Sequence, residues 1–397
     1  TRLPGLTLPG LANAHSHAFH RALRGRTQGG SGTFWTWREG MYALAARLDP
    51  GTYYALARAT YAEMALAGIT CVGEFHYLHH DADGTPYADP NAMGEALIRA
   101  ATDAGIRITL LDTCYLTSTV AGAPLEGPQR RFGDGDTARW AERAGALAPT
   151  PQAKIGAAVH SVRAVPAAQL GTVADWAADR DAPLHVHLSE QRAENDACLA
   201  HLGRTPTEVL ADAGALGPRT TVVHATHLTD IDRAELGDSD TAACLCPTTE
   251  RDLADGIGPA RALADAGSPL CLGSDSHAVI DLFEEARAVE LGERLRTERR
   301  GHFPAADLLA AATAAGHAAL GWGDAGVIAV GARADLVTVR LDTARTAGVV
   351  PGPAVVFAAG AVDVAHVVVD GRVVVRDGAH VGLDVAAELA TAIGALW

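Results

Sequence analysis

His15 and His17, in the stretch "NAHSHAFHR", stand two residues apart at the end of an apolar run. Successive side chains of an extended strand alternate faces, so both imidazoles emerge on one side. Two neutral imidazoles on one face can meet a single divalent ion. Further candidates recur at the ends of other β-rich runs: His187 in "HVHLSE", His224 in "VVHATH" and Asp275 in "LGSDSH". Histidines with one carboxylate form a nitrogen and oxygen donor set suited to zinc or a similar divalent metal that keeps an exchangeable water. Such an ion lowers the pKa of its water, and the hydroxide formed at neutral pH attacks trigonal carbon. Asp275 can accept the water's proton while staying near the metal. Glu190, three residues after His187, is placed to shuttle that proton to a departing nitrogen. His224 can bind the ion or polarise the substrate, and spacing leaves both roles open.

These groups meet only if their strands end at one mouth. Short β-branched or apolar runs alternate with longer Ala, Leu and Arg-rich amphipathic stretches, the pattern of βα units. The runs are residues 11–17, 69–76, 106–114, 154–160, 184–188, 221–225, 241–246 and 269–275. The expected fold class is α/β, a (β/α)8 TIM-type barrel over residues 11–325 whose strand C-termini gather the reactive groups. Residues 326–397 are Val-rich, punctuated by "DG" at 370–371 and 377–378, and end in an Ala-rich helical stretch from Val385. They are expected to form most of a small β-rich domain, with residues 1–10 as the remnant of its N-terminal part. The sequence opens without Met and reaches the first barrel run almost at once, so upstream residues are expected to be missing.

Composition narrows the class of partner. The 397 residues are 48% apolar, with Gly 42 and Pro 19, enough for a sizeable core and many loops. A formal net charge of -15 argues against nucleic acid and anionic membrane as partners. No run has the length and apolarity of a spanning helix, and no basic-then-apolar leader opens the chain. A cytoplasmic enzyme of small molecules is expected. The six cysteines are scattered, Cys244 and Cys246 sharing one strand face, and are taken as reduced core or lining thiols. Lys154, the only lysine, begins its strand six residues before His160, at the end away from the mouth. It cannot supply the carboxylated bridge that two-metal hydrolases on this barrel commonly use, so one metal is expected. His185 lies deeper on the face of His187 and is assigned to the core, while His227 and His277 could support the ligands.

Arg163 stands three residues beyond the mouth-facing His160, where its guanidinium can fork onto a carboxylate. Arg38 lies in "FWTWRE", an aromatic segment between the first two strands that could cover the mouth. His76 and Tyr77 follow the second run directly, so at least one faces the reactive side. His79 and His80 fall in the loop beyond.

At these residues the chain resembles the amidohydrolase superfamily and, more narrowly, the formimidoylglutamate deiminase family. "HSH", "HLSE", "HATH" and "GSDSH" are common to many deaminases; "FWTWRE" at 34–39, "GEFHYLHHDADGTPYADP" at 73–90, "HSVRAVP" at 160–166 and "CPTTERDLADGIGP" at 246–259 are the narrower signals. The resemblance implies one divalent ion per chain, zinc first, on His15, His17, His187 and Asp275, with Glu190 and His224 in catalysis. It implies a pocket lined by Arg38, Tyr77, His160 and Arg163, the arginines reading carboxylates. It also implies a homodimer that deiminates N-formimino-L-glutamate to N-formyl-L-glutamate and ammonia in histidine degradation. His20 departs from the family's usual Gln in "HAFQRA". Both residues can donate a hydrogen bond, but ring reach and titration differ, so N-formimino-L-aspartate is an alternative substrate. A purine-like heterocycle would use the same metal and Glu190 but call for stacking and amide groups rather than two arginines.

Overall fold

The computed structural model describes residues 3–29 and 32–397. Residues 1 and 2 of the expected N-terminal remnant, and 30 and 31 of the segment between the first two barrel strands, lie outside the described residues. The strands are β1 (Leu6–Pro9), β2 (Leu11–Ser16), β3 (Ile69–His76), β4 (Arg107–Cys114), β5 (Ala153–Val159), β6 (Leu184–Leu188), β7 (Thr220–His224), β8 (Ala242–Leu245), β9 (Leu270–Leu272), β10 (Leu336–Val339), β11 (Val364–Val369), β12 (Arg372–Arg376) and β13 (Ala379–His380). β2 to β9 form one parallel sheet in sequence order, with helices between them. Each barrel strand lies within the run read from the sequence or is shifted by one residue. Most of their side chains are buried on both faces, as expected of a parallel sheet clothed in helices.

The sheet rolls into a nearly closed barrel. β9 is only 3 residues long, and its edge reaches β2 through a single parallel bridge between Ser16 and Asp275. The Asp275 amide donates to the His15 carbonyl at 3.0 Å and the His17 amide to the Asp275 carbonyl at 3.3 Å. The seam therefore closes at the mouth, among the residues singled out for metal binding. At the opposite end Lys154 donates to the Gly321 carbonyl at 2.5 Å and lies over Trp322. His185 meets the Ala319 carbonyl at 3.0 Å. Both are remote from the mouth, as their positions along the strands require.

β1, β10, β11, β12 and β13 form a second, antiparallel sheet in that order. Asp370 and Gly371 join β11 to β12 with φ of 47° and 76°, the left-handed pair that a two-residue hairpin turn demands. Of the Val-rich stretch from 326 to 342 only Leu336–Val339 is a strand. Gly326 and Gly331 adopt φ of 78° and 91°, turning the chain before that strand. The fully buried Arg107 at the start of β4 pairs with the equally buried Asp335 just before β10, and lies 3.1 Å from the Asp370 carboxylate. That pair ties the base of the barrel to the second sheet.

A second buried ion pair holds the outer layer. Arg143, on the helix Thr137–Gly145, grips both oxygens of Asp112 at 2.8 Å, and Trp140 donates to the same carboxylate at 2.9 Å. Burial alone would raise the Asp112 carboxyl, but the charge and hydrogen bonds of Arg143 hold it below its ordinary value. A depressed native pKa gives stability that is full above the unfolded value of about 3.9 and is lost as pH falls through the native one. Asp112→Asn is expected to lose about 3 to 5 kcal/mol at neutral pH by leaving Arg143 uncompensated. In urea unfolding, the gap to the parent should narrow once the pH drops below about 4.

Candidate metal centre

The ends of β2 and β6 and the turn after β9 bring His15, His17, His187 and Asp275 together, their ligand atoms all within 4.8 Å of one another. Nε2 of His15 and of His17 each lie 3.4 Å from Asp275 Oδ1, and Nε2 of His187 lies 3.1 Å from that of His15. The backbone fixes which nitrogen carries the proton. Nδ1 of His17 donates to the Phe75 carbonyl at 3.0 Å and Nδ1 of His187 to the His160 carbonyl at 2.9 Å. Both rings therefore turn a bare Nε2 lone pair to the centre. Burial lowers all three histidines, keeping them neutral. Burial would raise Asp275, but the close approach of His15, together with His224 and His17, holds it well below the usual carboxylate range. Neutral imidazoles facing an ionised carboxylate fit one divalent cation.

The strand ends that aim these groups are strained. Ser189, His224, Ala225, Asp275 and His277 have φ of 52°, 71°, 51°, 41° and 58°, where a side chain costs of order 1–3 kcal/mol. Such strain concentrates where side chains must be turned toward a shared point. His277 locks the seam from behind, its ring 3.0 Å from the hydroxyls of both Ser16 and Ser274. Glu74 clamps the loop after β2, accepting from Ser16 Oγ and from the Ala18 amide, each at 2.7 Å.

His224 stands beside the four-residue cluster. Its Nε2 is 3.7 Å from Glu190 Oε1 and 3.7 Å from Asp275 Oδ2, and its Nδ1 is 3.5 Å from Glu250 Oε1. Burial opposes its charge, yet Glu190, Glu250 and Asp275 together raise it above the ordinary histidine value. Burial pushes Glu190 up to about 8, against the pull of His224 and with help from Asp255 and Asp275. A carboxyl raised toward neutral pH can take and return a proton.

The cluster opens into a cavity of about 290 Å³ bordered by His20, Arg38, Tyr77, His160, Arg163, Glu190 and His224. Arg163 donates from one Nη to the Tyr115 hydroxyl at 3.0 Å and the Ser118 carbonyl at 3.3 Å, leaving its other nitrogens for a ligand. Arg38 lies over the Trp35 ring at 4.4 Å, on the helix Phe34–Ala45. Burial lowers His20 to about 3, so it is neutral; its ring packs 4.6 Å from His17, and Nε2 is 3.3 Å from the Tyr77 hydroxyl. Of the pair at the end of β3, Tyr77 borders the cavity, whereas His76 joins His79 and Asp112 in a separate buried group.

Three groups escaped the sequence reasoning. Tyr115 follows β4 directly, the position that drew attention to Tyr77 after β3. Glu250, on the 6-residue helix Pro247–Asp252, and Asp255 just beyond it lie in "CPTTERDLAD" after β8, a stretch too short for periodicity to mark which acid turns inward. Only the shared approach to His224 distinguishes them.

Residues 6–374 match the model of the amidohydrolase family. Formimidoylglutamate deiminase of Pseudomonas aeruginosa is 41% identical over 397 residues, covering 96% of this chain and 87% of that one. The 8-oxoguanine deaminase of the same organism is 30% identical, covering 97% and 85%. Among solved structures, an amidohydrolase from Brucella melitensis matches with a TM-score of 0.89 at 35% identity over 98% of this chain and 89% of that one. An adenosine deaminase from Xanthomonas campestris with bound zinc matches with a TM-score of 0.84 at 26% identity, over 98% and 84%.

Proposed function

Because the chain belongs to the amidohydrolase family, we propose that it hydrolyses N-formimino-L-glutamate to N-formyl-L-glutamate and ammonia. The observation that carries this is the pair of guanidinium groups, Arg38 and Arg163, bordering the same cavity as Glu190. A linear amidine with two carboxylates matches those charges. An uncharged purine would offer neither guanidinium a carboxylate.

His15, His17, His187 and Asp275 would hold one divalent ion, zinc in the proposal. When bound, it supplies a water of lowered pKa as the nucleophile toward the formimino carbon. Glu190 takes a proton from that nucleophile and returns it to the substrate nitrogen, so that ammonia departs as a neutral leaving group. His224, kept charged by its carboxylate neighbours, steadies the negative charge that grows at the reacting centre. Arg163, steered by Tyr115, and Arg38 anchor the substrate carboxylates, while Tyr77, His160 and His20 fill the space between anchors and reaction. We also assign residues 11–325 to the catalytic barrel, and 1–10 with 326–397 to the small domain. A homodimer in the cytoplasm is part of the same proposal. Six buried, unpaired thiols favour a reducing compartment.

The test is ammonia release by zinc-loaded protein on N-formimino-L-glutamate, with N-formimino-L-aspartate, guanine and adenosine alongside and the organic product identified. Conversion to N-formyl-L-glutamate is expected to dominate. Preference for the aspartate compound would make His20 a determinant of chain length. Turnover of a purine alone would overturn the role given to the arginines.

A further inference from the structure

Asp275 faces two ways. Its Oδ1 lies 3.4 Å from Nε2 of His15 and of His17, while its Oδ2 lies 3.7 Å from His224 Nε2. Directly beyond β8 is a thiol that catalysis does not use. Cys246 is fully buried, and its sulfur, a ring nitrogen of His224 and a carboxylate oxygen of Asp275 all fall within 4.8 Å of one another. Gly273 makes the room: a Cβ there would come within 3.0 Å of Cys246 Sγ and 2.7 Å of His15 Cβ. The sulfur thus lies inside the barrel, against the wall of the four-residue cluster.

We infer that Cys246, His224 and Asp275 form a second cation site, bridged to the first through the Asp275 carboxylate, which takes up a borderline-soft divalent ion such as zinc or cadmium and thereby inhibits the enzyme. Thiolate, imidazole and carboxylate together select such ions over magnesium or calcium, which prefer oxygen alone. Binding breaks the Cys246 S–H bond and forms a sulfur–metal bond, the proton leaving to solvent. His224 gives a ring-nitrogen lone pair after releasing its proton to solvent. The ion therefore removes from catalysis the histidine that flanks Glu190. A separate buried histidine–carboxylate group, His76, His79 and Asp112, serves as an internal contrast. There Arg143 and Trp140 already occupy both carboxylate oxygens, and the guanidinium repels a cation.

The inference rests on the metal-hydrolase assignment of the site but not on which amidine is its substrate. Its test titrates cadmium ion into protein carrying one equivalent of zinc. Bound metal, thiolate-to-cadmium absorption in the ultraviolet, and turnover are followed together. A second equivalent is expected to bind with that absorption and to lower turnover by about 100-fold, the scale of losing one group that steadies developing charge. Cys246→Ala should keep one zinc and the parental turnover while losing the second equivalent, the absorption and the inhibition. Cys246→Ser, which replaces sulfur by a poor zinc ligand, gives the same answer should the alanine variant fail to fold. Cys244→Ala should retain all three effects. Absence of the second equivalent in the parent, or its persistence with the absorption in Cys246→Ala, would overturn the site. Failure of the first equivalent of zinc to bind would instead strike the metal-hydrolase assignment, and the two failures are read separately.

Discussion

Glu190→Gln is expected to lower kcat by about 10²- to 10⁴-fold, the range over which a positioned proton donor and acceptor contributes. Atomic absorption should still find one zinc per chain, because Glu190 is outside the cluster of His15, His17, His187 and Asp275. Gln matches Glu in size and can hydrogen-bond in the same place, so packing around His224 should survive the change. It cannot carry a proton back and forth. The raised pKa of Glu190, to about 8 through burial, is what makes the native side chain suited to the exchange. Activity retained in the variant would remove Glu190 from the proton path.

Arg163→Met separates recognition from chemistry. Arg163 borders the cavity with one Nη already held by Tyr115 and Ser118, so its remaining donors are oriented before substrate arrives. Its loss should lower kcat/KM for N-formimino-L-glutamate by about 100-fold, equivalent to roughly 3 kcal/mol for a charged hydrogen-bonded contact. Turnover of uncharged formamidine should change little. Equal losses on both compounds would mean that Arg163 supports the loop after β5 rather than the substrate.

Much of the frame was legible because two periodicities carry it. Alternation along β2 fixed that His15 and His17 share a face, and the recurrence of His or Asp at the ends of later runs named the groups that a barrel gathers. Spacing could not rank His224 as ligand or neighbour, because that depends on side-chain direction. Its positive φ and its 3.7 Å approaches to Glu190 and Asp275 place it beside the cluster. Nor could spacing choose between His76 and Tyr77, since one residue of register decides which faces the cavity. Glu250 and Asp255 were hidden for a different reason. Glu250 sits on a helix of 6 residues and Asp255 just beyond it, too short a stretch for a repeating pattern, so their convergence on His224 is a product of the whole fold. The Val-rich stretch after residue 325 does feed the second sheet through Leu336–Val339, while Gly326 and Gly331 turn the chain before that strand.

The single bridge between Ser16 and Asp275 has a bearing on the making of the molecule. The ring of strands is joined there by partners that lie far apart in the chain; Ser16 and His277 at the same seam are 261 positions apart. An ion bound by His15, His17 and Asp275 would be a clasp across that join, closing a very long loop whose entropy of closure is of the order of 5 kcal/mol. The reactive centre would then also be the last rivet of assembly. Synthesis must deliver the final strand before the clasp can be set, so a chain becomes competent for chemistry only when its barrel is whole.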